Sequence, residues 1–166
     1  MKTDNRIIGL IAVVVVVAAL GVYLYINHKH KQEAKAQEEL VIALDFATDA
    51  VNTITAAWNP EELQKRAHPV LMDSISKSGT SLDEYFKMLK KLGKLDKGTC
   101  NISNFVTPKD ATFRVADYLC DAQFENAPAK LLVEIRQDNP PSGPWLINSF
   151  RIDSPIFAAK KDADKK

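Results

Sequence analysis

The sequence predicts an α+β fold, in which a transmembrane helix and further helices precede a curved antiparallel sheet of about four strands. Three features of the chain support this prediction. Residues 7–26 form an uncharged apolar run, and apolar residues then recur at helical spacing from Leu40 to Trp58. After Gly93 the period changes to strand-like segments. Helices first and strands afterwards favour a layer of helices packed on one face of a sheet.

The run at 7–26 has the length of a membrane span. It reads IIGLIAVVVVVAALGVYLYI, and at ~1.5 Å rise per residue about twenty residues cover the ~30 Å hydrocarbon core of a bilayer. A cleaved signal peptide is one alternative, although the run ends in Tyr-Leu-Tyr-Ile-Asn-His rather than at small residues. A buried helix of a soluble protein is the other, and such helices are rarely so uniformly apolar. We therefore expect a single-pass anchor at 7–26, followed by a stiff helical connector at 27–38.

The net charge of the chain argues against one class of partner, whereas the charges that flank the membrane span do not decide its orientation. The chain has 22 basic and 21 acidic residues, giving a net charge of +1. Nucleic-acid binding needs concentrated Lys and Arg, so no nucleic acid is expected as a partner. The basic residues on the two sides of 7–26 are almost balanced, which leaves the positive-inside rule undecided.

The two cysteines bear on the orientation. Cys100 and Cys120 lie in neighbouring strand-like segments, and a turn at 107–110 would fold these segments into a hairpin with the cysteines opposed. Opposed Cβ atoms are ~4.5–5.5 Å apart, close to the ~3.5–4.5 Å of a disulfide. Two buried thiols in a reducing cytoplasm remain the alternative, whereas two sulfurs without a nearby histidine do not complete a zinc site. A disulfide implies an oxidising compartment. We therefore expect residues 1–6 in the cytoplasm and the folded domain in the periplasm of a bacterial inner membrane.

Local signals divide the rest of the chain. Asn59-Pro60 is typical of a helix start, Ser81 with Glu84 forms a capping-box pattern, and Gly93 is typical of a helix end. Strands are expected at about 99–106, 112–124, 130–137 and 144–153, and the tail at 158–166 is expected to be disordered.

The last strand carries an irregularity. Trp145 and Ile147 share one parity, whereas Phe150 and Ile152 share the other. Because successive strand residues face opposite sides of a sheet, this pattern predicts either a β-bulge or a strand covered on both faces.

This layout resembles the cone-shaped nuclear-transport-factor-2-like superfamily. The resemblance covers 39–157 and rests on the long helix ending in Trp58, the short helices after Asn59-Pro60, the capped helix from Ser81 and the final Pro144-Trp145-Leu146-Ile147-Asn148 strand. It is similar in layout to membrane-anchored periplasmic members, including inner-membrane scaffold components of type IV secretion systems. The resemblance implies a cone whose interior, in enzymes of the superfamily, carries Asp, His, Tyr or Arg.

The candidates for such an interior are His68, Tyr85, Asp117 and Tyr118. Asp117 and Asp121 share a strand face, which is compatible with a general acid/base pair and equally with a solvated strand edge. No nucleophile elbow, phosphate-binding loop, dinucleotide fingerprint or paired-cysteine metal pattern occurs in the sequence.

No catalytic, cofactor or metal site is therefore expected. We expect a non-catalytic interaction or scaffold module of a bacterial envelope complex, with the lipid bilayer, other envelope membrane proteins and a second copy of the chain as partners. A membrane-tethered pocket that binds a small ligand or catalyses a reaction is the alternative.

Overall fold

The computed structural model describes residues 5–109 and 111–158, without the side chains of 5–21 and 158. The helices are α1 (Asn5–Ala57), α2 (Pro60–Arg66), α3 (Pro69–Lys77), α4 (Leu82–Leu89) and α5 (Pro155–Ala158). The strands are β1 (Leu95–Val106), β2 (Phe113–Phe124), β3 (Pro128–Asp138) and β4 (Trp145–Asp153). Contacts divide the chain into two compact units, Met1–Glu39 and Leu40–Lys166, and α1 contributes to both.

The first unit contains the N-terminal part of α1. The backbone of the expected span at 7–26 is helical, whereas its side chains up to residue 21 lie outside the described part, as do Asp110 and the tail from residue 159. Val22, Leu24 and Ile26 are 59%, 62% and 47% exposed. One segment near the N-terminus of the described chain, Val22–Ala57, is long and apolar enough to cross a membrane by length and composition.

The sheet of the second unit is a meander. Its strand order is β1-β2-β3-β4, with every neighbouring pair antiparallel, which confirms the predicted α+β class. One face, called here the inner face, is buried, and the opposite face is called the outer face. The helices and the inner face share one core, whose members include Ala43, Ala47, Val51, Ile54, Phe86, Leu89, Tyr118, Leu131, Val133 and Ile135. Among the described residues, the helices of this core pack on the inner face and leave the outer face uncovered.

The helix boundaries follow from local capping chemistry. The Asn59 side chain accepts a hydrogen bond from the Glu61 amide, and Ser81 and Glu84 form the predicted capping box. The helix expected to run to Gly93 instead ends at Leu89 and continues as a 3₁₀ turn at Lys90–Leu92. Gly93 has φ 78°, and an added Cβ would lie 2.6 Å from the Glu125 carboxylate, so both the backbone and the packing require glycine there.

The predicted irregularity of β4 is a β-bulge. The register shifts opposite Glu134/Ile135, where Ser149 and Ile147 are the successive partners and Asn148 is the additional residue. The bulge reverses the parity, so that Trp145, Ile147, Phe150 and Ile152 are all buried. Asn148 donates a hydrogen bond to the Glu134 carboxylate, while its own side-chain oxygen is buried without a partner.

The predicted pairing of the cysteines is confirmed. Cys100 and Cys120 are register partners on β1 and β2 and form a disulfide across a sequence separation of 20 residues. Cys120 is fully buried on the inner face, whereas Cys100 is half-buried. The disulfide therefore ties the edge strand β1 to an interior strand.

Removing the disulfide should lower stability without changing the fold. Closing a loop of this length is worth about 3 kcal/mol through the entropy of the unfolded chain. Replacing both cysteines, as Cys100→Ala with Cys120→Ala, should therefore lower the free energy of unfolding by about that amount in a denaturant titration of the full chain in detergent. Reduction of the wild-type protein should add the mass of two hydrogen atoms; an unchanged mass would show that the purified thiols are free.

Candidate functional site

The four pocket candidates, His68, Tyr85, Asp117 and Tyr118, lie on different elements of the fold. Asp117 and Tyr118 are consecutive on β2 and therefore face opposite sides of the sheet, with Tyr118 buried on the inner face. His68 lies between α2 and α3, and Tyr85 lies on α4. The four residues therefore do not line one common site.

His68 caps helix α3. Its side chain is the N-cap, and Nδ1 accepts a hydrogen bond from the Val70 amide at 3.2 Å. On the other side of the ring, Nε2 lies 3.0 Å from Oδ2 of Asp138. Since Nδ1 is an acceptor, Nε2 carries the proton and donates to Asp138, which assigns the neutral tautomer from the hydrogen-bond network.

This geometry gives His68 a structural role. The side chain is buried, at 7% exposure, and both ring nitrogens are occupied. A general base needs a free lone pair within reach of a substrate proton, and neither nitrogen offers one. The backbone contributes as well, because the His68 amide donates to the carbonyl of Ile147 at 2.8 Å. His68 therefore fastens the α2–α3 junction to β3 and β4.

Asp138 is the anionic member of this cluster. The hydrogen bond from His68 is the main cause that lowers the pKa of its carboxyl, followed by the hydrogen bond from Arg136. Nε of Arg136 lies 2.8 Å from Oδ1 of Asp138, and its guanidinium lies 3.9 Å from the ring centroid of Phe113. Asp138 is thus held ionised between two donors at the end of β3.

The two tyrosines are poor acids in this fold. Burial raises the pKa of Tyr118, whose hydroxyl shares a hydrogen bond of 3.2 Å with Thr48 of α1. Burial also raises the pKa of Tyr85, whose hydroxyl is hydrogen-bonded to the backbone of Ile152 on β4. Each hydroxyl joins a helix to the sheet, so both tyrosines act in packing.

Asp117 and Asp121 lie on the outer face, as members of a solvated surface. The Asn104 side chain donates to Asp117 at 3.0 Å, and Lys130 lies 3.7 Å from Asp121. Each carboxylate has a partner from the adjacent strand. This arrangement is typical of a solvated strand face rather than of an acid/base pair.

Sequence reasoning missed a buried cluster around Arg114. Its Nε donates to Gln137 at 2.6 Å, and its guanidinium lies 5.6 Å and 5.3 Å from the ring centroids of Phe105 and Trp145. Gln137 in turn donates to carbonyls of the 139–144 turn. Arg114 shares the inner-face parity of Tyr118 and Cys120, and that parity was the available signal for its burial.

Large side chains pack in the core of the second unit, and two cavities lie at its periphery. Trp58 and Phe124 stack at 5.4 Å between ring centroids in the core. A cavity of about 300 Å³ lies between α3, α4 and β4. An open groove of about 820 Å³ lies where β2 ends and β3 begins. Among the residues that the structure describes, no cluster of His, Cys, Asp or Glu could hold a metal ion.

The two edges of the sheet differ. The edge of β4 is covered by a parallel bridge from Ala67 to Ile147 and by the Tyr85 hydroxyl at Ile152. Strand β1 has β2 on one side, and in the described chain no element pairs with its other side, called here the open edge. Its inward-facing Ile102 and Phe105 are only half-buried. The open edge and the outer face are therefore the candidate functional surfaces.

Comparison with protein-family models, with curated proteins and with solved structures finds no match for this chain.

A capping role for His68 predicts a graded response to substitution. His68→Ala removes both the N-cap of α3 and the donor to Asp138, and should lower the free energy of unfolding by about 1–2 kcal/mol. His68→Asn restores a good N-cap and should recover part of that loss. Equal destabilisation by the two variants, measured in denaturant, would contradict the capping role.

The Asp138 cluster predicts a pH dependence. Because the pKa of Asp138 is lowered from its ordinary value of 3.8, the ionised carboxylate stabilises the fold above that value, and the contribution disappears as the pH falls through the folded pKa. Asp138→Asn should therefore lower Tm at neutral pH, and the difference from wild type should shrink below about pH 4.

The exposed Asp96→Asn is the matched control for the loss of one carboxylate. A Tm difference for Asp138→Asn that stays constant between about pH 7 and about pH 3 would contradict the assigned ion pair.

Proposed function

We propose that this chain is a membrane-anchored, non-catalytic interaction module that holds an extracytoplasmic domain in a complex of the bacterial envelope. The observation that carries the proposal is the contrast between occupied polar groups and uncovered surfaces. His68, Tyr85 and Tyr118 are used in hydrogen bonds that hold the fold together. The outer face and the open edge are, among the described residues, the surfaces of the sheet that no other element covers.

The anchor is the first part of the proposal. Exposed apolar side chains at Val22–Ile26 continue the uncharged run from residue 7, and such side chains are costly in water. In Val22–Ala57 most apolar residues from Ala43 onward, such as Ala47, Val51 and Ile54, belong to the core of the second unit, so we assign the span to 7–26. The disulfide favours an oxidising compartment for the domain, with the N-terminus in the cytoplasm.

The fold family is the second part. Helices followed by a four-stranded meander support a nuclear-transport-factor-2-like domain over 39–157. Its core is packed with large side chains such as Trp58, Phe86 and Phe124. This packing favours a binding role at the surface over chemistry within a cone.

The outer face carries a partly exposed apolar pair among charged residues. Its ion pairs include Lys130 with Asp121 at 3.7 Å, so these charges have partners within the sheet. Leu119 and Leu132 are register partners beside this ion pair, and Leu132 is 40% exposed. On their other side Asp117 lies opposite Glu134, and each of these carboxylates accepts a hydrogen bond from an asparagine. Because these ionic groups already have partners within the domain, covering the apolar pair costs less than covering a pair beside a bare charge. We therefore propose this face as the site for another envelope membrane protein.

One observation favours the alternative of a ligand pocket. The cavity of about 300 Å³ is lined by apolar side chains including Leu63, Leu71 and Phe150, with Tyr85 in its wall. Cavities of this size and lining accept small apolar ligands. Filling it with Leu82→Phe would then abolish function, whereas an interaction module tolerates the change if the protein still folds.

The decisive experiment compares variants in cells that lack the chromosomal gene. His68→Asn, Tyr85→Phe and Asp117→Asn should restore the wild-type phenotype within about twofold, because each keeps its packing and removes only titratable chemistry. Leu119→Lys with Leu132→Lys should lose function at equal protein level, because it places charge in the proposed interface. Asn52→Lys with Gln64→Lys, at exposed helical positions, is the control for added charge.

Complete loss of function on removal of any one of the three polar groups would contradict a non-catalytic module. The anchor is tested in the same cells: the protein should remain in the membrane after alkaline extraction, and protease added from the periplasmic side should digest the domain. Protection of the domain in such preparations would place it in the cytoplasm.

A further inference from the structure

The open edge of β1 is unusual for a sheet in a water-soluble domain. An edge strand presents unpaired backbone N–H and C=O groups, and proteins usually blunt it with charge, proline or a covering segment. Strand β1 is 12 residues long and carries charge at Asp96 and Lys97 and register shifts at Leu95/Lys97 and Ile102/Asn104, which also protect an edge. Between the two shifts, however, residues 98–102 read GTCNI, without charge, proline or irregularity. By contrast, the opposite edge, β4, is covered by Ala67, His68 and Tyr85. Within residues 5–109 and 111–158 the fold therefore covers the β4 edge and leaves the middle of the β1 edge unpaired.

Side-chain burial also indicates that the surface along β1 is incompletely covered. The inward-facing residues of β2 are at most 6% exposed, for example Tyr118 and Ala122, whereas Cys100, Ile102 and Phe105 of β1 are only half-buried. An added strand beside β1 would cover these side chains and pair the free backbone groups. Backbone pairing and apolar burial are the two contributions that make strand addition favourable.

We propose that β1 pairs with β1 of a second copy of the chain, so that two four-stranded sheets join across a two-fold axis. The inference goes beyond the proposed outer-face interface and rests on the same assignment of an interaction module. Homo-oligomers with two-fold symmetry are the commonest assemblies, and a two-fold interface requires a self-complementary surface. The uncharged segment 98–102 meets that requirement.

The register follows from the bulges and the charges. Register shifts at Leu95/Lys97 and Ile102/Asn104 leave Lys97–Ile102 as the regular part of the strand. An antiparallel pair centred on Cys100 places Gly98 opposite Ile102 of the partner copy on the inner side, where glycine leaves room for the larger side chain. In this register Lys97 lies opposite Ser103, so no like charges meet.

On the outer side, the same register places Thr99 of one copy opposite Asn101 of the other. Both residues are exposed on β1, where their side chains face the solvent. This pair provides a charge-complementation test. Thr99→Lys with Asn101→Lys sets two lysine pairs against each other across the interface, and Thr99→Glu with Asn101→Glu does the same with carboxylates.

Native mass spectrometry of the full chain in detergent gives the readout. The wild type should form a dimer, and each doubly charged variant alone should raise the dimer dissociation constant about tenfold, because like charges directly opposite are destabilising. Mixing the Lys and Glu variants should restore a dimer that contains one copy of each. Asn52→Lys with Gln64→Lys controls for net charge and should dimerise as the wild type does.

Hydrogen exchange separates this interface from another. Amides of 98–102 should exchange more slowly at concentrations where the dimer forms, whereas those of the outer-face segment 130–136 should not change. A monomeric wild type, or a dimer unaffected by the charges at positions 99 and 101, would overturn the inference. Either result leaves the outer-face proposal standing, because that proposal is tested by the phenotype of the Leu119 and Leu132 variants.

Discussion

Burial of the inner face of β2 and β3 under the helices is the interaction on which the rest of the second unit depends. Leu131, Val133 and Ile135 are at most 1% exposed, and each such side chain contributes about 1.5–3 kcal/mol when it leaves water. A sheet of four strands has two faces and two edges. The helices, together with the α2–α3 junction, cover one face and one edge. Packing of the core on the inner face therefore leaves the outer face and the open edge uncovered in the described chain.

The bulge in β4 shows how strongly this burial governs the sheet. Without an additional residue at Asn148, either the Trp145 and Ile147 pair or the Phe150 and Ile152 pair would face the outer side. The bulge leaves one buried amide oxygen without a partner, which costs about 1–3 kcal/mol. Burying two further large apolar side chains contributes more than that, at about 1.5–3 kcal/mol each. The bulge is therefore the favourable solution.

Features that depend on near neighbours were predictable from the sequence. The capping box at Ser81, the opposed cysteines and the parity break of β4 each come from spacing within about twenty residues, over which capping and strand alternation operate. The start of β1 at Leu95 was not predictable, because Asp96-Lys97-Gly98 has no strand pattern and pairing with the end of β2 decides it.

The contacts of the candidate site belong to a different class. His68 and Asp138 are 70 positions apart, and no local pattern links them. Parity alone could place Arg114 on the inner face. It could not show that Arg114 would donate a hydrogen bond to Gln137 and lie over two aromatic rings. Sequence spacing thus predicts which face a side chain takes, whereas its partner depends on the tertiary fold.

The disulfide connects the compartment to the proposed surface. An edge strand has hydrogen-bond support from one side only, so β1 is the strand of the sheet most prone to local opening. The bond between Cys100 and Cys120 lies in the middle of the β1–β2 pair and adds covalent support where a second neighbouring strand is missing. Strand β1 is then held to its own sheet while its other side stays available for the proposed pairing. This support exists only where the disulfide forms, so an oxidising compartment both stabilises the domain and keeps the open edge in a conformation that a second strand can pair with.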